Sequence, residues 1–210
     1  MPLINKKAID IALGGRVWDL GNKVLYDLCR KHPYHNDTSE VIAKVWLIGR
    51  SYAAAIERRK NKSKFRGDDF YIDVVAPNII NSNIDIWFDN LKKVNEINRK
   101  TLALILKTHL EITKLFTEIS QLQKRSLASK YLHFHFPKLF YIYDSRTLGA
   151  LYKISKITGR AEKSKYLSDN EYRKLFEKCL SLRKYVYDNH GYKLTPRQID
   201  NLLLYIYEKA

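Results

Sequence analysis

The 210-residue chain contains little cysteine and no long apolar run. Its two cysteines, Cys29 and Cys179, are too few for a four-cysteine zinc knuckle, an iron–sulfur cluster or a disulfide framework. No run of about 18 apolar residues occurs, which excludes a membrane-spanning helix. Residues 1–7 carry charge but no apolar signal core follows them, so we expect a protein of the reducing cytoplasm. A glycine-rich phosphate loop is also missing.

Acidic side chains are scarce relative to basic ones. The chain has 38 Lys and Arg against 22 Asp and Glu, which gives a formal net charge of +16. Eight basic residues and one acidic residue lie between Lys44 and Arg66, whereas five aspartates and no Lys or Arg lie between Gly67 and Asn90. A charge of this size attracts polyanions, so it favours a nucleic-acid partner. The alternative is a solvated basic surface without a ligand.

Apolar residues recur at helical spacing, and no convincing alternating strand pattern is present. The longest predicted helix carries an apolar face with a buried histidine, formed by Leu102, Ile105, His109, Ile112, Phe116 and Ile119. A second helical face is formed by Val17, Leu20, Val24 and Leu28. The predicted fold class is therefore all-α.

Three helix starts carry capping signals. Asp37 with Glu40 three residues later predicts a capping box. Thr195-Pro196-Arg197-Gln198 predicts another, with proline at the first helical position. Ser126 is predicted to cap the helix that runs to His135.

The residues most suited to chemistry lie between Ser126 and Thr147. Lys130 falls in the first turns of an apolar, aromatic helix, where loss of hydration lowers the pKa of its amine and makes it a better nucleophile. Asp144 is placed to begin the next helix and to remain an anion there. The pair could supply an attacking amine and a carboxylate that stabilises positive charge on a sugar. The alternative is that Asp144 only caps a helix and Lys130 extends its amine to solvent.

The segments Ser129-Lys130 and Tyr141-Ile142-Tyr143-Asp144-Ser145 resemble the catalytic part of helix-hairpin-helix DNA glycosylases. The nearest likeness is to bacterial proteins with an 8-oxoguanine DNA glycosylase fold, to which residues 44–53, 56–59 and 195–200 are also similar. The resemblance implies a helix-hairpin-helix glycosylase-like bundle, one unit over residues 1–210, with two helical lobes (1–35 with 121–210, and 36–120) flanking a cleft. It also implies that Lys130 attacks the sugar C1′ and that Asp144 assists. In that superfamily the hairpin normally reads Leu-Pro-Gly-x-Gly, whereas residues 121–125 contain neither glycine nor proline.

The resemblance implies a base-excision enzyme, with or without lyase activity at the abasic site, that acts in repair or in defence against modified phage DNA. Its partner would be double-stranded DNA from which a modified or damaged base is flipped into a pocket. The residues expected to contact DNA are Arg50, Arg58, Arg59, Lys124, Arg125, Ser126 and Arg146. The residues expected to line the base pocket are Trp46, Tyr52, His133 and Tyr141.

We expect no cofactor, no metal and no membrane in this activity, and a monomer associated with the bacterial nucleoid. His133 and His135 stand two residues apart on a helix and cannot share a face as a metal pair. For Arg50, Arg58 and Arg59 the competing interpretation is a surface paired with Asp68, Asp69 and Asp73. For the whole chain the competing functions are a non-catalytic helical DNA- or RNA-binding protein and a module that binds an acidic protein partner.

Overall fold

The computed structural model describes residues 3–61, 68–159 and 167–209. These ranges contain helices and no strand, so the all-α class is confirmed. The α-helices are α1 (Lys6–Leu13), α2 (Asp19–Lys31), α3 (Thr38–Ser51), α4 (Ala76–Ile80), α5 (Ile84–Lys92), α6 (Arg99–Ser120), α7 (Arg125–His135), α8 (Ser145–Lys153), α9 (Ser155–Thr158), α10 (Asn170–His190) and α11 (Pro196–Lys209), with a π-helical segment at Phe70–Val75. The basic residues of the predicted charged run beyond position 61 lie outside the described residues.

The predicted long helix is α6. Its start is closed by a capping box, in which the Asn98 side chain accepts from the backbone of Thr101 and the Thr101 hydroxyl accepts from the backbone of Asn98. His109 is buried as expected, and its ring stacks on Tyr172 with centroids 3.4 Å apart. The helix ends at Gln121, which adopts a left-handed conformation at φ 56°. Glutamine therefore occupies a position that favours glycine.

Two of the three predicted caps are present. The Asp37 carboxylate accepts from the backbone of Glu40 at 2.9 Å, but the Glu40 carboxylate pairs with His32 at 2.5 Å instead of closing the box. At α11 the box is complete, since Thr195 N donates to the Gln198 side chain and Gln198 N donates to the Thr195 hydroxyl. Both helix starts are thus determined by residues within four positions of each other.

The predicted cap at Ser126 is wrong. Helix α7 begins at Arg125, so its N-cap is Lys124, two residues before Ser126, and Lys124 provides no side-chain cap. The Ser126 hydroxyl instead accepts a hydrogen bond from the Lys130 ammonium one turn later. Every residue of α7 from Leu127 to Phe134 is buried, because α2, α3 and α6 all pack against this helix.

One hydrophobic core joins the helices. It contains residues of α1 and α3 as well as of α6, α7, α10 and α11, and so draws on both predicted lobes. Helix α11 packs against α1 on one side and against α8 on another. The division into lobes stays a prediction. Within the described residues no helix combines the length and apolar character needed to cross a bilayer.

Helix α2 turns its predicted apolar face to solvent. Leu20 is 77% exposed and Val24 is 56% exposed, whereas the buried side of the helix carries Asn22, Leu25 and Cys29. Val17, predicted on the same face, precedes the helix and is 90% exposed. The spacing predicts the helix correctly, but the side that meets the core is the other one. A polar residue, Asn22, is therefore buried where α2 meets the rest of the fold.

The chain folds back sharply after α3. A Cβ on Gly49 would lie 3.1 Å from the Ala55 Cα, so glycine allows this close approach. Ala54 N donates to Gly49 O at 2.8 Å, and Ala53 takes a positive φ of 51°. We call residues 52–58 the α3 turn. It positions the backbone carbonyls that the next subsection describes.

Candidate active site

A cleft of about 520 Å³ opens between α2, the α3 turn, the start of α8, and α11. Its volume lies within the range of small-ligand sites. The charged residues of its lining are three arginines and three carboxylates, namely Arg16, Arg146, Arg197, Asp144, Asp200 and Glu208. Trp18 and Tyr52 add aromatic surface. The lining therefore has a balanced charge, unlike the chain as a whole.

The structure brings Lys130 and Asp144 together beside this cleft. The Lys130 Nζ lies 4.0 Å from the Asp144 Oδ2, and it donates hydrogen bonds to the Ser126 hydroxyl at 2.9 Å and to the Tyr52 carbonyl at 3.1 Å. The Lys130 side chain is 3% exposed, so it lies just behind the cleft wall. Burial lowers the pKa of its amine, and the nearby Asp144 carboxylate opposes that shift.

Asp144 divides its two oxygens between two tasks. Oδ1 accepts from the backbone of Thr147 at 3.0 Å, and the Thr147 hydroxyl accepts from the backbone of Asp144, which closes a capping box at the start of α8. Oδ2 faces two cations, the Lys130 ammonium and the Arg146 guanidinium 3.8 Å away. Asp144 is thus a helix cap that still presents one carboxylate oxygen to Lys130.

A chain of hydrogen bonds runs along the cleft wall and was not predicted. The Tyr52 hydroxyl donates to the Asn22 Oδ1 at 2.7 Å, and the Arg197 Nη1 donates to the Asp200 Oδ2 at 2.7 Å and to the Tyr52 oxygen at 3.3 Å. Burial raises the pKa of Asp200 to about 6 and that of Tyr52 to about 12. One signal for this chain was available in the sequence. Asp200 is an acidic residue among the apolar residues of the last helix, and Arg197, three residues earlier, is spaced to pair with it.

Comparison with known proteins finds no match. No family model fits the chain, and no curated protein or solved structure is significantly similar to it. The glycosylase resemblance therefore depends on the residues of this chain alone.

The helix start expected to bind phosphate is engaged in internal contacts. Lys124 is 7% exposed, and its ammonium donates to the carbonyls of Ala55 and Arg58 in the α3 turn at 2.9 and 2.6 Å. Burial lowers its pKa to about 8. Arg125 pairs with Asp169 at 2.6 Å, and Ser126 is bonded to Lys130. This corrects the interpretation of Lys124, because its ammonium is buried and bonded inside the protein. Arg125 and Ser126 also have internal partners, and their contact with DNA stays a prediction.

Of the other four predicted phosphate ligands, Arg146 alone belongs to the cleft lining. Arg146 lines it with a side chain that is 53% exposed. Arg58 is exposed and donates to the carbonyl of Ala53, which is itself a lining residue. Arg50 is 60% exposed and pairs with Glu57 rather than with an aspartate of the following acidic segment. Arg59 is placed over the Phe70 ring, 3.8 Å from its centroid.

Of the four predicted base-pocket residues, only Tyr52 lines the cleft. Trp46 is 45% exposed on α3, outside the lining. Tyr141 is buried edge-on against Phe176. The interpretation of Trp46, His133 and Tyr141 is corrected for a common reason: their positions are set by the core or by the outer surface of α3 and not by the cleft.

His133 has its hydrogen bonds satisfied inside the protein. Its Nδ1 donates to the Phe140 carbonyl at 2.8 Å, which leaves Nε2 to accept from the Tyr26 hydroxyl at 2.7 Å. Burial lowers its pKa to about 4, so the ring is neutral at physiological pH. His133 is therefore a structural residue of α7.

Proposed function

We propose that this chain is a DNA glycosylase that receives a flipped, modified or damaged base in the cleft and releases it with Lys130 and Asp144. The observation that carries the proposal is the 4.0 Å separation of the Lys130 Nζ and the Asp144 Oδ2 beside a cleft of about 520 Å³. The two groups come from α7 and from the start of α8, and a buried amine next to a carboxylate is an arrangement suited to nucleophilic substitution at a sugar carbon.

In this proposal each of the two side chains has a separate task. As the bond between base and sugar breaks, positive charge develops at C1′, and the Oδ2 of Asp144 stabilises it. The unprotonated Lys130 amine forms a bond to C1′, while the base leaves with the electron pair of the broken bond and takes up a proton. The Ser126 hydroxyl and the Tyr52 carbonyl hold the amine in place before the reaction. Opening of the sugar ring then gives an imine, from which β-elimination can cut the strand.

The charge of the protein supports a duplex substrate. A net charge of +16 attracts the phosphate backbone, and Arg146 and Arg58 stand at the edge of the cleft where flanking phosphates would lie. A base within the stack is out of reach of a recessed amine, so the substrate nucleotide must be extruded.

A non-catalytic DNA- or RNA-binding protein is the second candidate. The observation that favours it is that Lys130 and Asp144 already satisfy structural roles: the lysine is 3% exposed with two hydrogen bonds, and the aspartate caps α8. Under this alternative the positive charge binds nucleic acid and no bond is broken.

Borohydride trapping separates the two candidates. The wild-type protein is incubated with a panel of duplexes that each carry one modified base, and covalent adducts are counted by gel shift. We expect an adduct with at least one duplex, its loss in Lys130→Gln, and its retention in Lys124→Gln. The control is matched, because both lysines lie in or next to the first turns of α7, are buried and bond to the α3 turn. Salt-sensitive binding without adduct or base release on any duplex would establish the second candidate.

A further inference from the structure

Three buried side-chain atoms in the cleft wall have no hydrogen-bond partner among the described residues. They are the Asn22 Nδ2, the Arg197 Nε and the Asp200 Oδ1, and all three residues line the cleft. Asn22 is 6% exposed and Asp200 is 4% exposed. Buried polar atoms are nearly always paired, so three unpaired atoms along one wall indicate a place that a ligand completes.

The chemistry of this wall follows from the bonds already made. The Asn22 oxygen accepts from the Tyr52 hydroxyl, which leaves the amide Nδ2 as a donor. The Asp200 Oδ2 accepts from Arg197, which leaves Oδ1 as an acceptor. Because Tyr52 and Arg197 join the two residues in one chain of hydrogen bonds, the free donor and the free acceptor are held in a fixed relation.

The remaining lining fits a flat ring. Trp18 is 70% exposed at the cleft, and Tyr52 offers a second aromatic side chain. Gly21 also lines the cleft, and a Cβ at that position would meet no atom within 4 Å. Aromatic side chains next to open space allow a heterocycle to stack while its edge faces the polar wall.

We propose that Asn22 and Asp200 are the specificity-determining residues of the cleft, and that they bind the edge of a nucleobase that presents a hydrogen-bond acceptor to the Asn22 amide and a donor to the Asp200 carboxylate. The inference rests on the proposed function, since duplex DNA delivers the base. It differs from that function in assigning recognition to residues on α2 and α11, away from the amine of Lys130 on α7.

Binding of free nucleosides tests the assignment without any chemistry. Adenosine, cytidine, guanosine, 8-oxoguanosine and uridine are each titrated against the full chain and followed by NMR chemical-shift changes. We expect the wild type to bind at least one of them. Asn22→Asp replaces the free donor by an acceptor, and Asp200→Asn alters the free acceptor. We expect each substitution to lower the affinity for that nucleoside by about tenfold, which is the effect of losing one hydrogen bond.

Glu208→Gln is the matched control. Glu208 also lines the cleft and carries a carboxylate, but its partner is Arg16 at 4.0 Å and it has no unpaired buried atom. We expect this variant to bind nucleosides as the wild type does. If Asp200→Asn fails to fold because the ion pair with Arg197 is lost, the nearly isosteric Asn22→Asp decides the question alone.

The outcomes separate this inference from the proposed function. Nucleoside binding that is weakened in Asn22→Asp, in a protein that releases no base from any duplex, supports the inference and rejects the glycosylase. Base release by a protein whose nucleoside binding is absent, or is unchanged in Asn22→Asp, rejects the inference and leaves the glycosylase standing.

Discussion

Asp144 gives the sharpest test of the proposed chemistry, because its two oxygens have separable tasks. Asp144→Asn keeps an oxygen that can accept from the backbone of Thr147, so the start of α8 stays capped. Asp144→Ala removes the cap, which costs about 1 kcal/mol of the free energy of unfolding. Both changes remove the negative charge that lies 4.0 Å from the Lys130 Nζ.

The size of the charge effect can be worked out for a sugar C1′ that lies about 4 Å from the Asp144 carboxylate. Two unit charges 4 Å apart interact by about 4 kcal/mol at an effective dielectric constant near 20. An interaction of this kind with charge developing at C1′ is commonly worth a factor of about 100 to 1,000 in rate. We therefore expect both variants to lose about the same large factor in single-turnover base release, whereas only Asp144→Ala loses stability in urea unfolding.

We therefore expect the two variants to share the same loss of rate but to differ in stability. The rate is measured as base release, in quenched single-turnover reactions, from a duplex that gave an adduct in the borohydride experiment. The stability is measured by urea denaturation of the same two preparations. Asp144→Asn with the full wild-type rate would refute the reasoning, since it would reduce Asp144 to a helix cap. An equal loss of stability in both variants would refute the division of tasks between the two oxygens.

Three further predictions concern Lys124, Gln121 and Arg146. Burial in the folded state lowers the pKa of Lys124 from the ordinary 10.5 to about 8. Between these two pH values the unfolded chain binds more protons than the folded one. The free energy of unfolding should therefore rise by about 3 kcal/mol as the pH increases from about 8 to 10.5. Lys124→Met should remove this rise in urea titrations at the two ends of the window, and identical pH dependence in both proteins would contradict it. Gln121→Gly relieves a left-handed φ of 56° and should raise stability by up to about 1 kcal/mol in thermal unfolding, whereas a lower melting temperature would count against strain there. Arg146→Gln should weaken duplex binding independently of sequence and reduce the slope of log affinity against log salt by about one, with the exposed Lys184→Gln on α10 as the control; an unchanged slope would remove Arg146 from the interface.

Local signals predicted the helices well because the interactions that define them are local. Asp37 and Thr195 cap α3 and α11 through bonds that span three residues. The apolar spacing of α6 corresponds directly to its buried face. Lys130 and Asp144 were found for a similar reason, since a buried amine and a helix-capping carboxylate each leave a recognisable pattern in the sequence.

The sequence did not show which side chains are buried and which line the cleft, because packing between distant helices determines this. His133 and Lys124 are the kinds of residue that line pockets and bind phosphate, but α7 is enclosed by three helices and the Phe140 and Ala55 carbonyls accept their protons. Helix α2 has two faces of mixed character, and its spacing does not show that the side with Asn22 is the buried one. Asn22 and Asp200 line the same cleft only because α2 and α11, far apart in the sequence, both border it.

Two lysines hold the α3 turn, and only one of them, Lys130, is proposed to react. Lys124 donates to the carbonyls of Ala55 and Arg58, and Lys130 donates to the carbonyl of Tyr52 in the same turn. When the Lys130 amine reacts with a sugar, it must break its hydrogen bond to the Tyr52 carbonyl. A turn held by that bond alone would become mobile during the reaction. In the proposed mechanism the bonds from Lys124 persist throughout, so Tyr52 and the cleft edge that the turn carries keep their positions while Lys130 is covalently bound to the sugar.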